Sequence, residues 1–159
     1  MLTENQIDDV WEGKISSEVR SLYFGDLANL YSTQKQWITG TSFFLASGAM
    51  ATLVGKLPVW IPITFSLIVA LVNAYSVAVS LDSKIRTMGK LHYAWQQIGN
   101  DYTALWNHTY SEDAEQQLED LKRRELDLSE LATTDAPNDS RRLARWQNLV
   151  FKLHRLESV

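Results

Sequence analysis

The segments QWITGTSFFLASGAMATLVG, residues 36–55, and LPVWIPITFSLIVALVNAYSVAVSL, residues 57–81, decide the fold of this chain. Neither carries a charged residue, and only Lys56 separates them. A helix needs about 20 apolar residues to cross the hydrocarbon core of a bilayer, which is about 30 Å thick. Each segment is long enough, and the turn that contains Lys56 also contains a proline. The sequence therefore predicts a transmembrane hairpin at 36–81, with spans at about 36–55 and 59–81.

The rest of the chain determines whether lipid or protein surrounds these two segments. The whole sequence is 45% hydrophobic and 21% charged, with a formal net charge of −4, which alone would fit a soluble protein. The alternative to a membrane hairpin is a buried helical hairpin, but a helix that is apolar all round then needs protein on every side. The residues outside the two segments are too few and too strongly charged to supply that cover.

The distribution of Lys and Arg predicts the orientation of the hairpin, because these residues accumulate on the cytoplasmic side of spans. The hairpin loop carries only Lys56, whereas the flanks carry Arg20, Lys35, Lys84, Arg86 and Lys90. Both termini are therefore expected in the cytoplasm, with amphipathic N-terminal helices at 1–35 and a helical region at 82–159.

The N-terminal region contains two helix-start signals. Thr3 and Gln6 have the spacing of a capping box, in which each residue's side chain bonds the other's backbone N–H. Gly13 is expected to break or bend this first helix. A second helix, capped by Ser16 or Ser17, then continues towards the first span.

No stop signal ends the second span, so one long helix is expected to continue from it to about His108. The N-terminal helix is expected to lie against this continuation in the cytoplasm. Two shorter helices follow, one capped by Ser111 and the other by Asp139 or Ser140, with a loop at 133–139 between them. The predicted fold is an all-α membrane protein in which long cytoplasmic helices and two shorter C-terminal helices extend a two-span hairpin.

The sequence shows no signature of a catalytic, metal or cofactor site. It has no cysteine, which excludes thiolate ligands and thiol nucleophiles. Its seven glycines form no phosphate-binding loop, and its histidines stand far apart at His92, His108 and His154. We therefore expect a protein that is not an enzyme and needs no cofactor.

Polar residues recur on one side of the second span. Ser66, Asn73 and Ser80 are spaced by seven, with Ser76 beside them. An unpaired amide is costly in the membrane interior, so Asn73 must bond another helix or face water. One interpretation is packing between helices. The other is that several second spans surround an axis and these four residues line a pore.

An apolar stripe continues beyond the second span at helical spacing. It can be only partly covered within one protomer, so we expect it to form a homo-oligomer interface. Its residues are Ile85, Met88, Trp95, Ile98, Tyr102 and Leu105.

Charge is segregated in the C-terminal region. Residues 111–139 hold ten acids and three bases, whereas residues 140–156 hold five bases and no acid. Four of these bases share one helical face, namely Arg141, Arg145, Lys152 and Arg155. This face could pack on the acidic helix. Alternatively it could bind a partner or an anionic ligand, such as a nucleotide, an oligonucleotide or anionic headgroups.

The layout resembles the SLATT-type two-transmembrane effector domains of bacterial anti-phage and nucleotide-signalling defence systems. An N-terminal amphipathic helix with Trp11, Arg20 and Tyr23 leads into two spans joined by a Pro-containing turn, and KIRTMGKLHYAWQQIGNDYTALWN at 84–107 follows. The resemblance extends over about residues 10–130. It implies a multi-pass protein of the bacterial inner membrane that forms pores, controlled by a separate partner such as a nucleotidyltransferase or its nucleotide product.

The function expected from these features is an oligomeric pore- or channel-forming effector that depolarises or permeabilises the membrane. The alternative is a non-conducting two-span anchor or accessory subunit that recruits a cytoplasmic partner. Ion flux from liposomes that carry the protein separates the two.

Overall fold

A computed structural model of the protein describes residues 1–46 and 60–154. No strand occurs in these residues, so the all-α prediction is confirmed for them. The chain divides into two compact units: the bundle, Met1–Leu27 with Thr87–Val159, and the apolar unit, Ala28–Arg86. The helices of the described residues are α1 (Glu4–Ala46), α2 (Trp60–Ala78), α3 (Leu81–Asn107), α4 (Ala114–Asp135) and α5 (Ser140–Leu153).

Helix α1 begins at the predicted capping box. The backbone N–H of Thr3 donates to Gln6 Oε1 at 2.8 Å, and the backbone N–H of Gln6 donates to Thr3 Oγ1 at 3.4 Å. Of the break or bend predicted at Gly13, the break is wrong, because α1 is continuous through this residue. Ser17 lies inside the helix and donates to Gly13 O at 2.6 Å instead of capping a second one.

Gly13 allows two helices of the bundle to approach closely. A Cβ at residue 13 would stand 2.4 Å from Cζ of Tyr102, a distance that real Cβ atoms do not tolerate. The ring of Tyr102 therefore occupies the space that a side chain at residue 13 would need. The small residue serves packing between α1 and α3, and this packing outweighs the low helix propensity of glycine.

Helix α1 lies between two apolar layers of the bundle. On one side it packs with α3 and α4 in a cluster of Leu2, Val10, Ile98, Tyr102, Leu105, Ala114, Leu118 and Leu121. On the other side it packs with α5 in a second cluster, where Ile15, Val19 and Val150 are buried. The amphipathic pattern of α1 is blurred for this reason, since two of its faces are covered.

Polar contacts hold α5 on α1. Tyr23 donates its hydroxyl to Pro137 O at 2.6 Å and accepts from the backbone N–H of Asp139 at 3.2 Å. Asp26 accepts from Arg142 Nη1 at 2.8 Å and from the indole N–H of Trp146 at 3.3 Å. These bonds fix the start of α5, where the connection from α4 is only four residues long.

The ends of α4 and α5 show which capping predictions were right. Helix α4 begins at Ala114 with Asp113 as its N-cap residue, so the predicted cap at Ser111 is wrong. It runs to Asp135, three residues into the predicted loop. The cap of α5 by Asp139 is confirmed, because its side chain accepts from the backbone N–H of Arg142 at 3.1 Å.

The long helix predicted from the second span to about His108 is interrupted. Helix α2 ends at Ala78 and α3 begins at Leu81, with Ser80 between them at a φ of 51°. This left-handed conformation costs a residue other than glycine about 1–2 kcal/mol. Ser80 then starts the next helix, since its carbonyl accepts from the backbone N–H groups of Ser83 and Lys84 at 2.9 and 3.1 Å.

Candidate functional site

The surface of α2 is apolar and largely uncovered. Among the described residues, one helical stretch, Ser66–Asn107, is long and apolar enough to cross a membrane, and only 6% of its most apolar window is buried. Leu71 and Val77 are 61% and 79% exposed. A helix in the core of a soluble protein would be covered by its own chain, and the described part of this chain does not cover α2 in that way.

The first predicted span is described only in part. Residues 36–46 belong to α1, and residues 47–55 lie outside the described residues, as do Lys56 and Val59. Large apolar side chains of its described part are exposed, including Trp37, Phe43 and Phe44. That residues 36–55 also cross the membrane, the position of the loop and the orientation of the termini stay predictions.

The four predicted pore-lining residues do not form one continuous line. Ser66 and Asn73 are exposed on α2, and Ser76 is half-buried there. Ser80 lies in the turn after α2, so the heptad spacing that linked it to Asn73 on one helix face is not realised. The polar surface on the helix itself consists of Ser66 and Asn73, with Ser76 beside them.

Asn73 has a partner on the neighbouring helix. The Ser42 hydroxyl donates to Asn73 Oδ1 at 3.3 Å, which links α1 to α2 inside the apolar unit. This contact matches the packing interpretation of Asn73. Sequence spacing did not predict this partner, since Ser42 is one of several small polar residues in the first span. The Asn73 amide group keeps two N–H donors that can serve water or a second copy.

An ion pair joins the residue before the first apolar segment to the residue after the second one. Lys35 Nζ donates to Asp82 Oδ1 at 2.5 Å, and this bond holds the pKa of Asp82 below its ordinary value. Lys84 Nζ lies 5.7 Å from the centroid of the Tyr31 ring. Two of the charges predicted to flank the hairpin, Lys35 and Lys84, thus contact other residues of the same unit.

The predicted oligomer interface lies mostly inside the bundle. Met88, Trp95, Ile98, Tyr102 and Leu105 are each at most 1% exposed in the single chain, and Ile85, in the apolar unit, is half-buried. The expectation that these side chains are only partly covered within one protomer is wrong for the first five. Ile98, Tyr102 and Leu105 pack with residues of α1 and α4 of the same chain. All five buried residues belong to the core and offer no surface to a second copy.

The predicted basic face on α5 is exposed. Arg141, Arg145 and Lys152 have no ion pair in the part of the chain that the structure describes, and Arg155 lies outside it. The neighbouring Arg142 points inward instead and pairs with Asp26. The interpretation that the basic face packs on the acidic helix α4 of its own chain is therefore not realised. Helix α5 is anchored to α1 through Arg142, a residue that the face analysis left out.

The histidines of the bundle make structural contacts. His92 Nδ1 lies 2.7 Å from Ser21 O, and His154 Nε2 lies 2.8 Å from Glu18 Oε2. Within residues 1–46 and 60–154, no group of three or more His, Cys, Asp or Glu side chains is placed to hold a metal ion.

Comparisons of the chain with protein-family models, with curated proteins and with solved structures found no match. The functional argument therefore depends on two surfaces of the molecule itself, the apolar and polar surface of α2 and the basic face of α5.

Proposed function

We propose that this protein is an oligomeric, pore- or channel-forming membrane effector of the SLATT type in bacterial anti-phage defence. It acts by depolarising or permeabilising the inner membrane. The observation that carries the proposal is the uncovered surface of α2, on which exposed Leu71 and Val77 accompany exposed Ser66 and Asn73. Apolar side chains in this number need lipid around them, and the polar ones need water or another helix.

The membrane part of the proposal is a two-span hairpin with both termini in the cytoplasm. It is supported by the charge-free segments on either side of Lys56 and by the concentration of Lys and Arg outside them. Trp37 and Trp60 are exposed near the starts of the two segments, as suits the interfacial preference of indole.

The conduction part of the proposal needs several copies. A single hairpin encloses too little volume for water, but α2 helices arranged around an axis would turn Ser66, Asn73 and Ser76 towards a common path. The Asn73 amide would then be the most polar ring of the membrane interior. Rings of polar side chains and their spacing decide which ions a pore admits.

The bundle is the part that receives the controlling signal in this proposal. Its exposed basic face, Arg141, Arg145 and Lys152, suits an acidic protein surface or a phosphate-bearing ligand. The regulator is a separate partner, such as a nucleotidyltransferase or its nucleotide product.

The second candidate function is a non-conducting membrane anchor that recruits a cytoplasmic partner. One observation favours it: the Ser42 hydroxyl already satisfies Asn73 Oδ1 within the same chain. An amide that is bonded between two helices of one hairpin does not require a water-filled path.

Ion flux tests the two candidates. Purified full-length protein in liposomes is expected to release a potassium gradient in proportion to its amount, whereas an anchor releases none. The matched control is the same protein with Trp95→Asp. This substitution places a charge in the bundle core, which opposes folding of the bundle and should inactivate the effector. Liposomes that hold oligomeric protein and stay impermeable contradict the pore.

A further inference from the structure

Helix α5 of the bundle presents a basic surface that its own chain does not use. Arg141, Arg145 and Lys152 lie on one face because residues four, seven and eleven apart align along a helix. Exposed Leu149 lies next to them, at 43% exposure. This basic face points away from α1, since buried Val150 lies on the opposite side of α5.

Helix α4 presents a surface of opposite charge. Its exposed acids are Glu115, Glu119, Asp120, Asp127, Glu130 and Asp135. Lys122 and Arg124 do not neutralise them, because these bases pair with Asp9 on α1 and Asp101 on α3, at 2.6 and 2.7 Å. Arg123 adds one exposed positive charge to the helix.

An exposed leucine lies within this acidic surface. Leu126 is 70% exposed, with Glu119 seven residues before it and Glu130 four residues after it. These three residues share one face of α4, together with exposed Arg123, and we name it the acidic face. Buried Leu118 and Leu121 lie on the other side of the helix. Each face therefore carries one uncovered leucine, among bases alone on the basic face and among acids with one base, Arg123, on the acidic face.

The two faces do not pair within one chain. The four-residue connection from α4, the two hydrogen bonds of Tyr23 and the Arg142–Asp26 pair hold α5 on α1. Each face is directed away from the helix on which its own apolar side packs. Pairing is therefore available only between copies.

We propose that the basic face of α5 docks on the acidic face of α4 in a second copy of this chain. The contact is heterologous when it repeats head to tail from copy to copy, and such contacts generate rings when the rotation between copies closes. It rests on the proposed function in one respect, because the membrane effector is oligomeric. It replaces the interface that the buried stripe of α3 was expected to supply, and a regulator that binds the basic face would compete with it. Leu126 and Leu149 add apolar area to pairs of exposed charges, which alone contribute little. Confinement to one membrane raises the effective concentration of the copies.

Charge reversal on the full chain in mild detergent tests this interface. One variant reverses the basic face with Arg145→Glu and Lys152→Glu, and another reverses the acidic face with Glu119→Lys and Glu130→Lys. Light scattering over a concentration series measures the protein concentration at which each variant assembles. For both variants this concentration is expected to rise more than about tenfold above that of the parent, because like charges then oppose each other. The matched control reverses two exposed acids on α1, Glu4→Lys with Asp8→Lys, and should assemble like the parent.

Rescue shows that the two faces meet each other. An equimolar mixture of the two variants is expected to assemble, because each reversed face meets an oppositely charged face of the other variant. The fourfold variant, which carries all four of these substitutions in one chain, should also assemble on its own. Assembly of the parent should weaken as salt is raised.

Several outcomes overturn the interface. It is wrong if the parent is monomeric, if both reversals leave assembly unchanged, or if neither the mixture nor the fourfold variant restores it. If only the basic-face variant differs from the parent, and it loses binding to vesicles that contain anionic lipid, then the face binds headgroups and the interface is again wrong. An oligomer that responds as expected but conducts no ions contradicts the pore and leaves the interface standing.

Discussion

The Cα of Gly13 on α1 lies against the phenol ring of Tyr102 on α3, so that a Cβ at residue 13 would stand 2.4 Å from the ring carbon Cζ. Tyr102 is also buried and donates its hydroxyl to Glu125 Oε2 on α4 at 3.0 Å. One aromatic side chain therefore fixes the spacing of three helices. The bundle is organised around this contact.

Substituting Gly13 tests the closeness of this contact. Gly13→Ala is expected to lower the free energy of unfolding by about 1–3 kcal/mol, because the added methyl group overlaps the Tyr102 ring. Chemical denaturation in detergent, followed by circular dichroism, measures the change. Gly89→Ala is the matched control, since nothing lies within 4 Å of a Cβ there, and it should stabilise α3 by up to about 1 kcal/mol. Equal effects of the two substitutions would show that the contact is not tight.

The sequence predicted the features of this fold that depend on nearby residues. Thr3 with Gln6, and Asp139 with the Arg142 backbone, are capping contacts over three residues, and both were found from spacing alone. Gly13 was interpreted as a break or bend of the helix because the low helix propensity of glycine was the only available signal. Its role depends on Tyr102, which lies far away in the chain, and no local pattern shows where that ring packs.

The candidate site was predicted less well than the helices, for a related reason. Apolar spacing showed that one face of α3 must be covered, but it did not show by what. Helices α1 and α4 of the same chain cover Tyr102, and Arg20 of α1 lies over the Trp95 ring, where a second copy was expected. Likewise, spacing placed Arg141 and Arg145 on one face of α5. It did not show that Arg142, one residue along, would reach Asp26.

Asp26 is expected to control the attachment of α5. Asp26→Ala leaves the half-buried guanidinium of Arg142 and the indole N–H of Trp146 without their acceptor, at a cost of about 1–3 kcal/mol. Hydrogen–deuterium exchange should show faster exchange of the α5 amides and little change in α3. Asp8→Ala, at an exposed position of α1, is the control and should leave α5 protected. Unchanged protection of α5 in Asp26→Ala would mean that the apolar contacts of Val150 suffice.

Tyr102 is expected to make the bundle sensitive to high pH. Burial and the neighbouring Glu125 carboxylate raise the pKa of its phenol. The pKa of Tyr102 in the folded protein is thus above its unfolded value of about 10. The stability that the neutral phenol contributes is therefore complete below about pH 10 and is lost as the pH rises towards the folded-state pKa. The denaturation midpoint should therefore fall more between about pH 9 and about pH 11 in the parent than in Tyr102→Phe. Tyr93→Phe, which alters an exposed tyrosine, should keep the parent's slope. Parallel slopes for all three proteins would exclude Tyr102 as the cause.

The absence of cysteine from the sequence allows a direct test of topology. A single cysteine from Lys56→Cys is expected to react with a membrane-impermeant maleimide added to intact cells, because the hairpin loop faces outward in the proposed topology. Asp8→Cys, in the bundle, should react only after the cells are broken. Reporter fusions at residues 1 and 159 should both be cytoplasmic. Labelling of Asp8→Cys in intact cells, or a periplasmic terminus, contradicts the two-span hairpin.

The last prediction separates conduction from packing at Asn73. Asn73→Leu makes the proposed ring apolar, and apolar constrictions resist wetting, so ion flux and toxicity on overexpression should be lost while membrane localisation and assembly remain. Asn73→Asp should retain flux and shift selectivity towards cations. Ser42→Ala is the discriminating variant, because it removes only the donor to Asn73 Oδ1 and leaves the amide in place. If Asn73 lines a water-filled path, Ser42→Ala conducts like the parent, since water replaces the lost donor. If the amide serves only to join α1 to α2, Ser42→Ala and Asn73→Leu should weaken the hairpin alike. In that case Asn73→Leu protein that still folds should conduct as the parent does, which would contradict the pore-lining role.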